Sequence, residues 1–295
     1  GPSVSLAATP VAWGDVAVDA ARRLAEAGIA DAEVQARRLV EQASGYEGGE
    51  YYVGLTKAAT RRQMAYLDSM LARRLTGEPL QYVLGRWGFR GLDLMVSPAV
   101  LIPRPETETL AGLAIAELAR RDPPGGLVVD LGTGSGALGL AVAAECETAQ
   151  VVLTDVSAEA LAVARANLAG LGRAAVRVSA FQGSWYEALP ESLFGQVDVL
   201  ASNPPYVRDD EALPSDVADW EPALALRGGP DGLDSARRIL ADAGKWLNPG
   251  GSVMLELSPD QMERAAAIAL AGGLAVEAVH SDLAGRDRVL QCRLT

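Results

Sequence analysis

Asn203-Pro204-Pro205-Tyr206 follows the apolar run 197–201, which reads as a buried strand. One side-chain amide, two rigid backbone carbonyls and one aromatic ring are thereby gathered at a strand end. That set suits holding a planar NH2 group still. An amide or aromatic amine nitrogen is a poor nucleophile, because its lone pair is delocalised, so an enzyme that alkylates it must orient and polarise it. The Asn203 side-chain oxygen and the Pro204 carbonyl can each accept one N–H, turning the remaining lone pair toward an electrophile. Proline fixes φ and donates nothing, so Pro204 and Pro205 leave acceptors without competing donors. Tyr206 can stack on the planar group. The bland alternative is a strand ending in a proline turn with an aromatic plug.

A second motif upstream separates the two readings. Leu127-Val128-Val129-Asp130-Leu131 is a short apolar strand that runs into Gly132-Thr133-Gly134-Ser135-Gly136 and then a helix over 137–145. A glycine-rich turn between strand and helix lets a ligand approach the backbone, and the helix N-terminus offers free N–H groups. The next apolar strand, 151–154, ends in Asp155, placed to accept the two hydroxyls of a ribose. This is a nucleoside-cofactor site.

Gly132, Gly134 and Ala137 also satisfy the loose dinucleotide fingerprint, which keeps a nicotinamide dehydrogenase in play. Asp130 argues against it. A carboxylate there repels a pyrophosphate and attracts a sulfonium or an amino-acid ammonium. S-adenosylmethionine carries both positive groups and no phosphate, so the combined motifs favour a methyltransferase.

With these motifs the chain resembles the protein-glutamine N5-methyltransferases that modify peptide-chain release factors, the HemK/PrmC family. The resemblance runs from about Leu80 onward and is most specific at Leu101-Ile102-Pro103-Arg104-Pro105-Glu106-Thr107-Glu108, the loop 130–136 and the Asn-Pro-Pro-Tyr tetrapeptide. That tetrapeptide alone also occurs in adenine-N6 methyltransferases of DNA or RNA, whereas the Ile-Pro-Arg-Pro-Glu-Thr-Glu segment does not. The resemblance implies that Gly132, Thr133, Gly134, Ser135, Gly136 and Asp155 bind S-adenosylmethionine. It puts Trp185 beside the adenine, and it has Asn203, Pro204, Pro205 and Tyr206 hold the substrate glutamine of a release factor. Asn203 would face both cofactor and substrate. Arg104 and Glu106 would support the catalytic loop, the alternative being a surface ion pair at a helix start. Two positions depart from the family: Ser184 stands where relatives are usually acidic, and Ser258 follows Glu256-Leu257 where glycine is frequent. They bear on cofactor affinity and a local turn.

Composition sets outer bounds. With 295 residues, 49% hydrophobic and 22% charged, the chain can bury a large core in two domains. A net charge of −12 opposes tight binding to a polyanion, so no stable nucleic-acid complex is expected. Lys57 and Lys245 are the only lysines, which reads as genomic base composition. No apolar run is long enough to span a bilayer and no leader pattern opens the chain, so a cytoplasmic protein is expected. Gly1-Pro2-Ser3 reads as the remnant of a removed purification tag. Cys146 and Cys292 lack disulfide or zinc spacing and are expected to be buried thiols. His280, the only histidine, is expected to be structural or on the surface, which disfavours histidine-based hydrolysis.

The elements that must position these residues fall into two patterns. Helical spacing over 15–27, 31–43 and 58–75, with Asp15 and Asp31 as caps and 45–54 as a loop, predicts a helical domain over 1–75. In the family that domain helps engage the protein substrate; the alternative is that it only stabilises the fold or a dimer. Residues 76–98 form a linker with a β-hairpin about Arg90-Gly91. From 99 to 295 strands are expected at 127–131, 151–154, 175–181, 197–201, 252–257, 274–279 and 288–294. Helices alternate with them, and a long loop spans 207–229. Such alternation predicts an α/β fold, a mostly parallel sheet covered by helices on both faces. With the resemblance, this becomes the seven-stranded Rossmann-like sheet of class I methyltransferases. A non-catalytic subunit that keeps only the cofactor fold stays open as an alternative.

Overall fold

Apolar side chains recur every three or four residues along α1 (Trp13–Glu26), where Trp13, Val16, Ala20 and Leu24 are buried. The computed structural model describes residues 10–295, so Gly1-Pro2-Ser3 lies outside the described residues. Helices α2 (Ala32–Ser44) and α4 (Arg61–Leu75) bury Leu39, Val40, Leu67, Met70 and Leu71 within the same helical unit. Of the two expected caps, Asp15 sits inside the first turn of α1, whose N-cap is Ala12, while Asp31 does stand at the N-cap of α2 but in a left-handed conformation from which its side chain makes no capping bond. The cap that does form is at α4, where Thr60 and Gln63 exchange bonds in a capping box. The glycine-rich stretch 45–54 is not all loop, because Gly49–Gly54 turns into the short helix α3. Helix α5 (Leu80–Leu84) ends this unit, and a second compact unit runs Gly85–Thr295.

The second unit begins with the expected hairpin, β1 (Arg86–Phe89) against β2 (Leu92–Met95). Arg90 and Gly91 both have positive φ at its turn, the geometry a two-residue hairpin loop needs. Asn167 fastens the hairpin: its Oδ1 accepts the Met95 N–H at 2.7 Å, and its Nδ2 donates to the Met95 and Ser135 carbonyls at 3.0 and 2.8 Å.

There follow α6 (Pro105–Ala119), β3 (Gly126–Leu131), α7 (Ala137–Glu145), β4 (Ala149–Asp155), α8 (Ala158–Ala169), β5 (Val178–Gln182) and β6 (Val197–Ser202). After β6 come the short helices α9 (Ser215–Ala218) and α10 (Ala223–Leu226), then α11 (Asp234–Trp246), β7 (Leu247–Glu256), α12 (Met262–Ala271), β8 (Ala275–Ser281) and β9 (Asp287–Arg293). The seven-stranded sheet has the order β5-β4-β3-β6-β7-β9-β8. Only the β7–β9 and β8–β9 pairs are antiparallel. Val128, Val129 and Leu131 of β3, Leu153 of β4, and Val199 and Leu200 of β6 are all 0% exposed, as strands covered on both faces require. Each such side chain contributes about 1.5–3 kcal/mol of burial.

Three stretches differ from the sequence expectation. The strand expected over 175–181 opens as a 3-10 turn, Gly172–Arg177, held by Arg177 donating to three main-chain carbonyls. Strand β7 extends back through Pro249-Gly250-Gly251, and the loop 207–229 carries α9 and α10.

The sheet order reverses between β3 and β6, the switch point where open α/β sheets bind ligands at strand carboxyl ends. Register makes this specific. Leu131 pairs with Thr154, Asp130 with Ala201 and Ser202 with Leu255. The next residue on each strand is Gly132, Asp155, Asn203 or Glu256, so these four leave the sheet in one row.

Candidate active site

Gly132, Gly134 and Gly136 have φ of +71°, +55° and +87°, the left-handed region that carries little cost only for glycine. They let the chain double back from β3 into the N-terminus of α7, in whose first turn the Gly139 N–H is taken by Asp130. A Cβ on Gly132 would stand 3.5 Å from the Trp185 ring, so that ring lies over the loop. Trp185 itself has φ +48°, a conformation that costs a residue with a side chain about 1–3 kcal/mol.

Two carboxylates frame the loop. Asp130 is 1% exposed, and its Oδ2 accepts the Thr133 hydroxyl at 2.6 Å and the Gly139 N–H at 3.0 Å. Burial pushes its carboxyl up to about 6 against the opposing pull of those two bonds. Asp155 accepts the Gly134 N–H on Oδ2 and the Ser157 N–H on Oδ1, both at 2.9 Å. Burial raises its pKa too, again opposed by main-chain donors. A carboxylate offers about four lone pairs, so Asp155 keeps acceptor capacity for a ligand beyond these main-chain donors.

On the other side of the switch point, Ser202 closes β6 by donating to the Leu131 carbonyl at 2.6 Å. Asn203 is half-buried, and its Nδ2 donates to Thr107 Oγ1 at 3.4 Å. The Tyr206 carbonyl accepts Gln261 Nε2 at 2.9 Å, and burial raises the pKa of its hydroxyl. Gly228 and Gly232 press against this tetrapeptide. A Cβ on Gly228 would come within 2.5 Å of the Pro205 carbonyl, and one on Gly232 would collide with the Tyr206 carbonyl.

One cavity of about 510 Å³ joins the two halves. Asp130, Gly132, Thr133, Gly134, Ser135, Asp155, Ser184, Trp185, Asn203, Pro205 and Arg104 line it. Pro204, Tyr206, Gly136 and Glu106 are not on its wall; Tyr206 packs instead against the apolar core. Arg104 and Glu106 do not pair with each other. Arg104 bonds to Glu221, whose side chain is 1% exposed, while Glu106 faces Arg286 at 3.3 Å on the surface. Ser258 forms a capping box with Gln261 at the turn before α12, so the serine that departs from the family's glycine positions the side chain that holds the Tyr206 carbonyl.

Comparison with known proteins decides the family. The profile described as PrmC N-terminal domain matches residues 15–85, and that described as Methyltransferase small domain matches 111–219. Release factor glutamine methyltransferase of Geobacter sulfurreducens is 39% identical over 273 residues, covering 92% of this chain and 93% of that protein. That of Bordetella pertussis is 41% identical over 87% of this chain and 93% of its own. The chain belongs to the release factor glutamine methyltransferase family. A methyltransferase from Pyrococcus furiosus, 21% identical, shares the fold with a TM-score of 0.52 over 77% of this chain and 98% of that one.

A release factor glutamine methyltransferase uses S-adenosylmethionine, and the residues present fit it. The left-handed glycines leave a cradle that a Cβ would narrow, Asp155 keeps acceptor capacity, and the buried Asp130 gives the cavity a negative wall rather than a phosphate site. Among the described residues no group of His, Cys, Asp and Glu is arranged to hold a metal ion, and no helix is long and apolar enough to cross a membrane. His280 bonds to Gln291 at 2.7 Å on β8 and β9, away from the cavity. Cys292 is buried, but Cys146, the C-cap of α7, is only half-buried.

Sequence reasoning missed Thr107, Glu221, Gly228, Gly232 and Gln261. It passed over Glu256 too, although that residue ends an apolar strand as Asp155 does.

Proposed function

We propose that this enzyme transfers a methyl group from S-adenosylmethionine to the side-chain amide nitrogen (N5) of the glutamine in the Gly-Gly-Gln motif of peptide-chain release factors. The observation that carries the reading is the shared row of Asp155, Gly132 and Asn203 at the mouth of one cavity. When bound, S-adenosylmethionine supplies an electrophilic methyl on a sulfonium, and its leaving group departs neutral. Asp155 accepts the ribose hydroxyls, Trp185 covers the adenine, and Asp130 favours the cofactor's positive charge. Asn203 Oδ1 and the Pro204 carbonyl accept the two N–H groups of the glutamine amide, which points the nitrogen lone pair along the line of transfer. Those acceptors also favour the positive charge that develops on nitrogen. No acid is required, and the alkylated amide loses its proton afterwards to water.

A lone glutamine offers too little surface for specificity, so contacts far from the reaction must supply it. The helical unit that ends at Leu84 is the part of the chain to which we assign that task. The substrate is a translation factor, which places the reaction in the cytoplasm, and the net charge of −12 disfavours a stable nucleic-acid complex. The test is transfer of labelled methyl from S-adenosylmethionine to a purified release factor, to the same factor with its Gly-Gly-Gln glutamine replaced, and to DNA. Label on the intact factor alone supports the reading; label on DNA, or on both factors equally, overturns it.

A further inference from the structure

The residues assigned to the cofactor account for one part of the cavity wall; another part is apolar. Val100, Leu101 and Pro103 line it from the segment before α6, and Pro222, Leu224 and Ala225 line it from α10 and its N-cap. The two arginines beside these residues in the chain also line the cavity, and both are engaged. Arg104 is bound by Glu221, and Arg227 donates to the Arg208 and Glu211 carbonyls at 2.6 and 2.8 Å.

Leu224 stands apart within this stretch. It lines the cavity and is 62% exposed, which puts it at the mouth, whereas Leu226 on the same turn of helix is 8% exposed. Single exposed leucines are ordinary on a protein surface. This one is pinned on both sides. Three residues before it, the buried Glu221 side chain accepts the Ile102 N–H at 2.9 Å and the Arg104 guanidinium. Three residues after it, Arg227 forms a parallel bridge with Val207, the residue that follows Tyr206. The Val207 N–H donates to the Leu226 carbonyl at 2.9 Å, and the Gly228 N–H to the Val207 carbonyl at 2.8 Å.

From this placement we infer that Leu224 is a specificity-determining residue, whose side chain covers the residue preceding the target glutamine and admits only glycine there. The inference rests on the proposed reaction and extends it from the amide to the neighbouring main chain. Consecutive Cα atoms are about 3.8 Å apart, so a glutamine that reaches into the cavity toward Asn203 holds the preceding residue at the mouth. Apolar side chains offer a substrate side chain no hydrogen bond, and a polar or charged one laid against them would lose water without compensation. Glycine brings only its main chain, against which Leu224 packs closely. A methyl group in that place must displace a leucine whose turn of helix is fixed at both ends, which is overpacking.

The experiment measures kcat/KM for methyl transfer by the native enzyme, Leu224→Ala and Leu224→Val. Three release factors are offered: one with Gly-Gly-Gln, one with Gly-Ala-Gln and one with the glutamine replaced. The native enzyme should favour Gly-Gly-Gln over Gly-Ala-Gln about 10- to 100-fold. Leu224→Ala should shrink that ratio to about threefold, chiefly by accepting Gly-Ala-Gln better, and Leu224→Val should fall between them. The site is exposed, so both variants should fold, and an unchanged cofactor Kd verifies it. A residue that only held the fold would lower transfer to both factors alike and leave the ratio where it was. The native ratio persisting in Leu224→Ala and Leu224→Val overturns the inference, because the glycine is then required for its own backbone freedom. Equal transfer to the two factors by the native enzyme overturns it as well. Either result leaves the proposed reaction standing. No label on Gly-Gly-Gln, or equal label on the factor without its glutamine, brings down the proposed reaction and the inference with it.

Discussion

Glu221 accepts the Arg104 guanidinium on one oxygen and the Ile102 N–H, at 2.9 Å, on the other, and so ties the segment leading into α6 to the chain that follows the catalytic tetrapeptide. The pair is lopsided: the Glu221 side chain is 1% exposed and that of Arg104 34%. Removing the cation should therefore hurt more than neutralising the anion. Arg104→Ala strands a buried carboxylate and should cost about 3–5 kcal/mol in urea unfolding. Glu221→Gln keeps one acceptor oxygen and loses the other bond, and should cost less, about 2 kcal/mol. Equal losses would mean that Glu221 is solvated in the folded protein.

Gly232 tests whether the backbone around Tyr206 matters to the reaction. With φ +76° and a Cβ that would collide with the Tyr206 carbonyl and the Gln261 amide, Gly232→Ala must push the tetrapeptide out of place. Turnover should fall about 100-fold, while cofactor Kd, measured by calorimetry, stays within about twofold because the glycine loop is untouched. A matching loss of cofactor binding would show that the two halves of the site move together.

The row across the sheet divides labour, so substitutions should split cleanly. Asp155→Ala removes a charged acceptor of the ribose and should weaken cofactor Kd about 10- to 100-fold, with a smaller effect on kcat. Asn203→Ala should do the reverse, cutting kcat about 100- to 1,000-fold at nearly unchanged cofactor Kd. Equal losses in both parameters from Asn203→Ala would mean that the residue merely holds up the cavity.

Cofactor binding should also depend on pH through Asp130. Burial holds its carboxyl at about 6 in the folded protein. A cationic ligand favours the ionised form, so Kd should weaken as pH falls through 6. Asp130→Asn should flatten that slope and bind about tenfold more weakly at pH 8. The same shift acts on folding with opposite sign: a carboxyl raised above its unfolded value of 3.8 costs stability above about pH 6, and the cost disappears below about 4.

What the sequence disclosed was local. The glycine loop, Asp155 and the tetrapeptide each follow a short apolar strand, and the strand–turn pattern is written in neighbouring residues. The hairpin about Arg90-Gly91 and the helix at Ala137–Glu145 were legible for the same reason. What stayed hidden depends on approach in space. Glu221 lies 117 residues from Arg104, Gln261 55 from Tyr206 and Thr107 96 from Asn203, and nothing near any of them marks the partner. The cap expected at Asp15 failed because tertiary packing set the helix start, Trp13 being buried at the head of α1, whereas Asp31 marks the start of α2 but, left-handed, makes no capping bond. The 3-10 turn before β5 was unreadable because Arg177 stabilises it through carbonyls about thirty residues earlier in the chain.

The measurement that bears most directly on the whole account is mass-spectrometric mapping of the methyl group on a release factor incubated with the enzyme and S-adenosylmethionine. A single methyl on the side-chain nitrogen of the Gly-Gly-Gln glutamine, absent when Asn203→Ala is used, is the expected result. A methyl on any other residue, or the same mark at the same rate from Asn203→Ala, would contradict it.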